Sequence, residues 1–483
     1  MTVSRRTFLA GGTAAGALLV GGGGALAAPL GGVAAGPSRA SRLFPGTRLA
    51  HADLHNHTLY SDGAGDPALA FASMRDAGLD VAALTDHATV AKALPAQAAE
   101  LACTGPEGCG LVGIDEGKWQ ASRGLADQTN RDGSFASIRG FEWSSPTLGH
   151  MNVWFSETWI DPASTGGNTT GEGLGQFAHD IPGLGPAISG PLDEAVRALP
   201  TTGTGMRLFH DWLAADPARP VLGGGADAIF GFNHPGREPG RFGYFTYDER
   251  LQQRLVSLEV FNRGEDYLFE GTDAGFASPL PECLDAGWKV GLLGVTDEHG
   301  TDWGYPDGKG RTGLWVKALT RAGVREAMEA RRFFSTRLRG LRVDASMNGA
   351  RMGSTVGLRS GAATFALDLD RGPAFYGKKL VVQVLQTGRP LPTVVAQRTV
   401  TVPRPSQPVV RFTVPLDVAD GRWVVLRICD PSQKADGRAT TAAYTTAGNA
   451  IAYTSPFFLD PDRAAAAAAA LRSAGRPAGP GAG

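Results

Sequence analysis

The stretch HADLHNHTLYSDG, residues 51–63, gathers three side chains of the types that bind metal ions: His55, His57 and Asp62. Alternate side chains of a β-strand point to the same face, so two histidines spaced two apart can bind one ion. Gly63 permits a tight turn that returns the Asp62 carboxylate toward the end of the strand. The stretch therefore predicts half of a metal site.

Three other apolar segments end in residues of the same kinds. GVTDEHG repeats the two-residue spacing with Asp297 and His299, while VAALTDH ends at His87 and GFNHPGR carries His234. In α/β folds the carboxyl ends of the strands build the functional site, so ligands at four strand ends are expected to meet there.

Two further ligands are predicted in neighbouring segments: Glu142 in RGFEW and His150 in GHMNVWF. Glu142 would act as a bridging carboxylate. Nine nitrogen and oxygen ligands exceed the usual four of zinc and suit two or three close divalent ions of the Mn, Fe or Zn type. The closest pair of ions is assigned to His55, His57, Glu142 and Asp297. The other five ligands would complete the cluster: Asp62, His87, His150, His234 and His299.

The remaining three histidines are predicted to lie outside the cluster. His51 is expected to begin the first strand, and His179 and His210 lie in a Gly-rich insertion and a helical stretch. Of the nine histidines, six thus occupy the motifs above. Randomly placed histidines would be spread along the chain instead of concentrated in these motifs.

These motifs resemble those of the PHP (polymerase and histidinol phosphatase) superfamily of metal-dependent phosphoesterases. DLHNHTLYSDG, TDH, NHPG and TDEHG match its four motifs over roughly residues 50–338, and Glu142 and His150 fill the remaining ligand places. The resemblance implies a distorted barrel of seven β/α units with up to three metal ions. GFEWSSPTLGHMNVWF, LEVFNRG and RRFFSTR also resemble the exported branch related to carbaryl hydrolase, some of whose members cleave carbamate or amide bonds.

The ends of the chain differ in composition from its middle. SRRTFLAGG, with Arg5 and Arg6, precedes an apolar run ending in ALAAP, which predicts a twin-arginine signal peptide over residues 1–27. We therefore expect recognition by the twin-arginine export machinery, an extracellular, periplasmic or cell-envelope location and no stable membrane span in the mature form. Residues 28–49 are predicted to be a linker, and residues 461–483 a disordered tail.

The middle of the chain divides into two predicted domains. Strand-like runs alternate with helical patterns over residues 50–338, which indicates a mainly parallel α/β sheet or barrel, closed by an amphipathic helix in RAGVREAMEARRFFSTR. Residues 340–460 contain strand-like runs divided by turn residues, which predicts a smaller antiparallel β-sandwich.

The net charge and the cysteines indicate which partners and which redox environment the protein has. A net charge of −1 gives no long-range attraction for nucleic acid, so no specific nucleic-acid binding is expected. Cys103 and Cys109 in LACTGPEGCG are a plausible local disulfide in an exported protein. For Cys283 and Cys429, burial as small apolar residues is an equal alternative.

A phosphate substrate would also need positive charge. Arg237 and Arg241 follow His234, and Arg263 ends another predicted strand. Arginine can bind two phosphate oxygens at once, so these three are the candidate substrate-binding residues. Glu259 and Asn262 are weaker candidates.

The leading interpretation is an exported phosphoesterase that cleaves a small phosphate mono- or diester with a metal-bound hydroxide, without an assigned catalytic side chain. A second interpretation is hydrolysis of a carbamate, amide or carboxyl ester at the same metal site. That reaction needs a more apolar pocket, which Trp143, Trp154 and Phe261 could line. A third is a non-catalytic binding protein with a structural metal cluster.

Overall fold

A large mixed sheet and a smaller antiparallel sheet organise the fold. The computed structural model describes residues 38–89, 113–145, 147–165, 203–236, 240–304 and 308–464. In these residues seventeen strands belong to the large sheet and four to the small one. The fold class is thus mixed α/β.

The strands, in chain order, are β1 Arg48–Asp53, β2 Val81–Leu84, β3 His87–Ala88, β4 Ala136–Ser145, β5 Gly149–Trp154, β6 Ile229–Phe232, β7 Leu255–Asn262, β8 Glu265–Asp266, β9 Gly291–Gly294, β10 Arg311–Val316, β11 Phe333–Thr336, β12 Arg342–Met347, β13 Ala350–Arg351, β14 Thr355–Gly357, β15 Ser360–Asp370, β16 Lys379–Gln386, β17 Thr393–Thr401, β18 Val410–Asp417, β19 Trp423–Asp430, β20 Asn449–Thr454 and β21 Phe457–Asp460. The helices are α1 Pro67–Asp76, α2 Glu116–Thr129, α3 Pro162–Thr165, α4 Thr204–Ala214, α5 Phe242–Phe245, α6 Pro279–Asp285, α7 Arg321–Glu329 and α8 Ala442–Thr445. Short 3-10 turns span Glu249–Leu251, Tyr267–Phe269, Thr272–Ala274, Pro373–Phe375 and Val418–Asp420.

The N-terminal strands alternate with helices, as the sequence predicts. β1 pairs in parallel with β2, β2 with β4, β6 with β7 and β7 with β9, whereas β5 runs antiparallel to both β4 and β6. Their apolar runs are buried on both faces, which is typical of strands covered by helices.

The predicted closed barrel of seven β/α units is not confirmed. Within the described ranges β1 and β9 share no ladder, and a single parallel bridge between Asn56 and Glu298 joins the segments beyond them. On its other side β1 pairs with β10, so the sheet runs on toward the C-terminal strands.

The sandwich predicted for the C-terminal region stays a prediction, because its strands divide between the small antiparallel sheet and a continuation of the large sheet. The small sheet, β13-β12-β15-β18, is antiparallel and shares an apolar core with β16 and β19. One pair of the region, β14 and β21, is parallel. The predicted closing helix ends at Glu329, and its FFST segment is β11, which joins β10 to β20. The domain limits of 50–338 and 340–460 stay a prediction.

Part of the predicted linker is bonded to the small sheet. Ser41 Oγ donates to the buried carboxylate of Asp344 at 2.5 Å, and the Arg42 amide donates to Asp368 at 3.0 Å. Residues 38–47 are therefore held in place, because buried carboxylates of the sandwich need hydrogen-bond donors.

Several predictions fall outside the described residues: the signal peptide at 1–27, the pair Cys103 and Cys109, His179, Arg237, and the tail from residue 465. In the described part of the chain, no helix has the length and apolar character needed to span a membrane.

Candidate metal centre

Segments that follow β1 and β9 are bonded to each other beyond the ends of these strands. The His57 amide donates to the Glu298 carbonyl at 2.9 Å, and the Asp297 amide donates to the His55 carbonyl at 3.0 Å. Both histidines follow β1, which ends at Asp53, although the sequence predicted them within the strand. These bonds bring ligands far apart in sequence side by side.

A tight turn after the histidines positions Asp62. The carboxylate of Asp86 accepts hydrogen bonds from the Thr58 amide at 2.7 Å and from Ser61 Oγ at 2.8 Å. A Cβ atom on Gly63 would lie 2.6 Å from the Thr58 nitrogen, so no larger residue fits without displacing the backbone. The reversal predicted at Gly63 thus depends on close approach of two backbone segments.

Glu142 lies at the centre of the cluster. It sits within β4 rather than at its end, and its side chain is completely buried. Its two carboxylate oxygens lie 2.6–3.6 Å from ring nitrogens of five histidines: His55, His57, His87, His150 and His234. A carboxylate with this many nitrogen neighbours has the surroundings that the predicted bridging role requires.

Two further carboxylates border this group. Asp297 Oδ1 lies 3.4 Å from His55 Nε2 and 3.3 Å from His57 Nε2, and the two histidine nitrogens are 3.0 Å apart. Asp62, whose side chain is half exposed, forms the open side of the cluster. Its Oδ1 lies 3.3–3.8 Å from nitrogens of three histidines: His57, His87 and His299.

The spacing of these atoms suits metal ligation. Two ligands at about 2.1 Å from one ion lie about 3.0–3.4 Å apart in octahedral or tetrahedral geometry. Asp297 Oδ1 and His150 Nδ1 are buried yet make no hydrogen bond, which a bound cation would remedy. Four overlapping groups have ligand atoms within 4.8 Å of one another: His57, Asp62, His87 and His299; His55, His57 and Asp297; His55, Glu142 and His234; His87, Glu142 and His150. The groups contain all nine predicted ligands.

Glu259 orients one of the ligands from behind. Its Oε1 lies 2.8 Å from His55 Nδ1, and its Oε2 accepts from the His234 amide at 2.7 Å and from Asn262 Nδ2 at 2.8 Å. A carboxylate on one ring nitrogen directs the lone pair of the other toward the metal. Glu259 and Asn262, ranked as weak candidates, therefore support the ligands.

Sequence reasoning missed three other supporting residues. Asn233 Nδ2 donates to Glu142 Oε1 at 2.6 Å, Ser144 Oγ lies 2.6 Å from His87 Nδ1, and Ser61 contacts His57. Each lies within two positions of a predicted ligand in the chain. A polar residue beside a ligand is the only signal that could have identified them.

The carboxylates raise the pKa values of the histidines, whereas burial lowers them, and the balance differs from one histidine to the next. Burial alone would lower the pKa of His55, but Asp297, Glu259 and Glu142 outweigh burial and raise it well above its usual value. In the same way Glu142 and Asp62 raise the pKa of His87 to about 10 against the effect of burial. For His57, burial and the charge of His87 dominate and lower the pKa to about 3.

The carboxylates themselves are held ionised. Burial would raise the pKa of Glu142, but the charges of His150 and His55 outweigh it and keep that pKa well below the usual range. The pKa of Asp297 is lowered in the same way, with His55 as the largest opposing charge. The centre is thus a buried negative site that attracts protons or metal cations.

The predicted substrate-binding arginines are placed differently. Arg263, half exposed, has Nε 2.9 Å from Asp297 Oδ2 and Nη2 2.8 Å from His299 Nδ1. Arg241 is buried, and its terminal nitrogens donate to two backbone carbonyls and to Glu282. The structure thus brings Arg263 to the cluster and gives Arg241 bonds that hold the surrounding loops.

The aromatic residues proposed for an apolar pocket lie in the core instead. Trp143 is fully buried and stacks on Phe209 with ring centroids 4.1 Å apart. Trp154 is buried with its Nε1 donating to the Leu54 carbonyl, and Phe261 packs on Tyr453. These rings contribute to packing and offer no open surface to a substrate.

The other described histidines and cysteines lie outside the cluster. His51 lies within β1, and burial, followed by the charges of Arg39 and Arg311, lowers its pKa to about 3. His210 is buried on α4, where neither ring nitrogen makes a hydrogen bond. Cys283 and Cys429 are buried free thiols.

No protein-family model and no curated protein matches the sequence. A crystal structure from Bacteroides vulgatus ATCC 8482, described as a two-domain protein containing a predicted PHP-like metal-dependent phosphoesterase, is 14% identical; the match covers 86% of this chain and 97% of that one, with a TM-score of 0.36. A proposed metal-dependent phosphoesterase from Bifidobacterium adolescentis is 17% identical over 52% of this chain and 88% of its own, with a TM-score of 0.25. An amidohydrolase from Chromobacterium violaceum, with bound sulfate and no metal, is 16% identical over 53% and 90%, with a TM-score of 0.24. Scores this low do not establish a common fold.

Arg263 has a backbone conformation that another residue would adopt more easily. Arg263 and Gly264, the two residues of the loop between β7 and β8, have φ values of 49° and 91°. A type I′ turn requires positive φ at both positions, and Asn-Gly is a favoured sequence for that turn. We expect Arg263→Asn to leave the free energy of unfolding within about 1 kcal/mol of wild type, because turn relief offsets the loss of a half-exposed ion pair. Urea denaturation measures this.

The matched control is Arg250→Asn, which removes a similarly exposed arginine paired with Asp248 and Asp211. A loss of more than about 2 kcal/mol for Arg263→Asn alone would mean that Arg263 serves stability rather than the site.

Proposed function

We propose that this protein is an exported, multinuclear metal-dependent hydrolase of the PHP type that acts as a phosphoesterase on a small phosphate mono- or diester. The main support for the proposal is that nine residues with nitrogen and oxygen ligand atoms form four overlapping groups. Two or three ions of the Mn, Fe or Zn type suit this ligand set.

Features of the cluster favour catalysis over a structural role. Structural zinc sites are usually closed and rich in cysteine, whereas none of the four described groups contains cysteine. Asp62 is half exposed, and His150 and His299 are partly exposed, so one side of the cluster is open to a substrate. The alternative of a non-catalytic binding protein has no such support.

Different residues have different roles in the proposed reaction. His55, His57, Glu142 and Asp297 would hold the closest pair of divalent ions. Such ions would supply a nucleophilic water of lowered pKa and would neutralise charge on the ester. Glu259 keeps the Nε2 lone pair of His55 directed at the centre.

Arg263 supplies positive charge beside the cluster. Its Nη2 reaches His299 while its Nε holds Asp297, so a guanidinium N–H can bind an oxygen of an anionic ester next to the metal ligands. Arg237 stays a candidate for the same role, and Arg241 has its terminal nitrogens already bonded elsewhere.

A second candidate reaction, hydrolysis of a carbamate, amide or carboxyl ester, is favoured by one observation. Of the two described arginines predicted to bind an anion, only Arg263 contacts the cluster. A neutral substrate needs no such charge, so the two reactions differ in their dependence on Arg263.

We also propose export by the twin-arginine pathway to an extracellular, periplasmic or cell-envelope location. Arg5 and Arg6 before an apolar run support this. A folded protein would then carry its metals from the cytoplasm, and the partners of the mature form would be small-molecule esters.

The reaction is tested with the Mn-reconstituted protein on nitrophenyl phosphate monoester, nitrophenyl phosphate diester and aryl carbamate. We expect a phosphate ester to turn over and His57→Ala to lower kcat/KM by roughly a hundredfold or more, since even changes behind the ligands cost 10- to 100-fold. Arg263→Asn should lower phosphoester turnover by about tenfold or more, because a charge-assisted bond is lost.

His210→Phe is the matched control, because it removes a buried imidazole that makes no hydrogen bond. Turnover of the carbamate alone, unaffected by Arg263→Asn, would replace the phosphoesterase assignment by the second candidate. Equal rates for wild type and His57→Ala would reject both.

Metal uptake should depend on pH. His55, His87 and His234 have raised pKa values in the metal-free protein, so each holds a proton more tightly than an ordinary imidazole does. Metal must displace these protons, so apparent affinity should rise about tenfold per pH unit for each proton released. Competition with a chromophoric chelator for Mn(II) between pH 6 and pH 9 measures the slope, and a flat profile would show that these histidines are not ligands.

The export assignment predicts the fate of a signal variant. Arg5→Lys with Arg6→Lys should leave the full-length chain in the cytoplasm, because the pathway depends on both arginines. Fractionation and mass measurement compare this variant with wild type, which should be exported and shortened by about 27 residues. Export of the double variant at the wild-type rate would exclude this route; Arg131→Lys is the control.

A further inference from the structure

The turn that carries Arg263 connects β7 to β8 and is bound by the C-terminal part of the chain. Asn262 pairs with Glu265 across the hairpin, and the two residues between them have left-handed φ values. A non-glycine residue in this region is strained and persists only where its surroundings hold it. The residues that contact the turn therefore show what holds Arg263 in this conformation.

Arg337, the residue directly after β11, binds one side of the turn. Its Nη2 donates to the Gly264 carbonyl at 2.6 Å, and its guanidinium lies 4.5 Å from the ring centroid of Phe261 on β7. Its Nη1 donates to Asn449 on β20 at 3.3 Å. Arg337 thus links the turn to a strand of the C-terminal region.

Arg438 holds the other side. Its Nη2 donates to the Asp266 carbonyl at 3.1 Å and lies 2.8 Å from the Glu265 carboxylate. Its Nη1 is 2.6 Å from Glu270, and Asp436 orients the guanidinium from the same loop at 3.2 Å. The side chain is mostly buried, so these bonds are poorly screened by solvent.

A fully buried network lies beneath the turn. Tyr453 Oη donates to the Asp266 carboxylate at 2.9 Å and accepts from Arg427 Nε at 2.9 Å. Arg427 Nη1 also donates to Gln383 at 2.8 Å. Tyr453, Arg427 and Gln383 belong to β20, β19 and β16, whereas Asp266 belongs to β8.

A buried polar network stabilises the contact between two regions no better than apolar packing would, so its presence needs another explanation. Buried ion pairs often stabilise no more than apolar residues of the same volume, but their directional bonds impose one geometry. Here the bonded groups converge on residues 264–266, directly after Arg263, and the Arg263 guanidinium contacts Asp297 and His299 on the opposite side.

We propose that the C-terminal region positions Arg263 at the metal centre, with Arg438 and Tyr453 as positioning residues that act through Asp266 and the turn. This rests on the proposed function for its effect on turnover, but the effect on the turn itself does not depend on that function. Neither residue contacts a metal ligand in the described structure.

Arg438→Met and Tyr453→Phe test the proposal, each in wild type and with Arg263→Asn. We expect each to lower phosphoester kcat/KM by about fivefold or more in wild type and by less than about twofold with Arg263→Asn, because residues that act through one group are non-additive. Arg438→Lys should recover part of the loss. Arg398→Met, on exposed β17, is the control and should change nothing.

Hydrogen exchange of the holo protein gives a readout independent of turnover. Amides of residues 262–266 should exchange about tenfold faster in both variants, while β16 keeps its protection. Unchanged exchange at the turn, or kcat/KM losses that add fully to that of Arg263→Asn, would overturn the proposal. If the wild type hydrolyses no ester, the proposed function fails and exchange alone decides the positioning role.

Discussion

The structure depends on a carboxylate buried among positively polarised rings. Glu142 is fully buried, so its charge must be balanced by the histidines around it or by metal ions. The five histidines that surround it come from the segments after β1 and β6 and from strands β3 and β5, so balancing this charge requires four separate parts of the chain to meet. The need to balance one buried charge thus organises one whole edge of the sheet.

Much of the centre could be predicted because its ligands are close to one another in short motifs. His55 and His57 are two residues apart, and Asp297 and His299 repeat the spacing, so the ligand types were visible without the fold. Glu259 was underestimated because it lies in an apolar strand far from His55 in sequence. Glu259 can orient His55 only in the folded protein, where β7 lies beside the segment after β1.

Other predictions failed where tertiary contacts override local pattern. FFST follows a helical pattern without a break, yet it forms a strand because β10 and β20 offer pairing edges. Trp143 looked suited to a pocket, but alternation along β4 turns it away from the side of Glu142 and into the core. Phe261 packs on Tyr453 because the register of β7 against β9 shifts between Glu259 and Phe261. Arg241 has its terminal nitrogens bonded to carbonyl and carboxylate oxygens that only the folded loops bring together. Sequence pattern alone cannot rank such competing partners.

The segment at residues 38–47 has a consequence for the order of folding. Its hydrogen bonds go to Asp344 and Asp368, which are synthesised some three hundred residues later. β11 likewise needs β20 as a neighbour. During synthesis, residues 38–47 therefore emerge long before Asp344 and Asp368 are available to accept their hydrogen bonds. The native fold can be completed only once synthesis is almost finished.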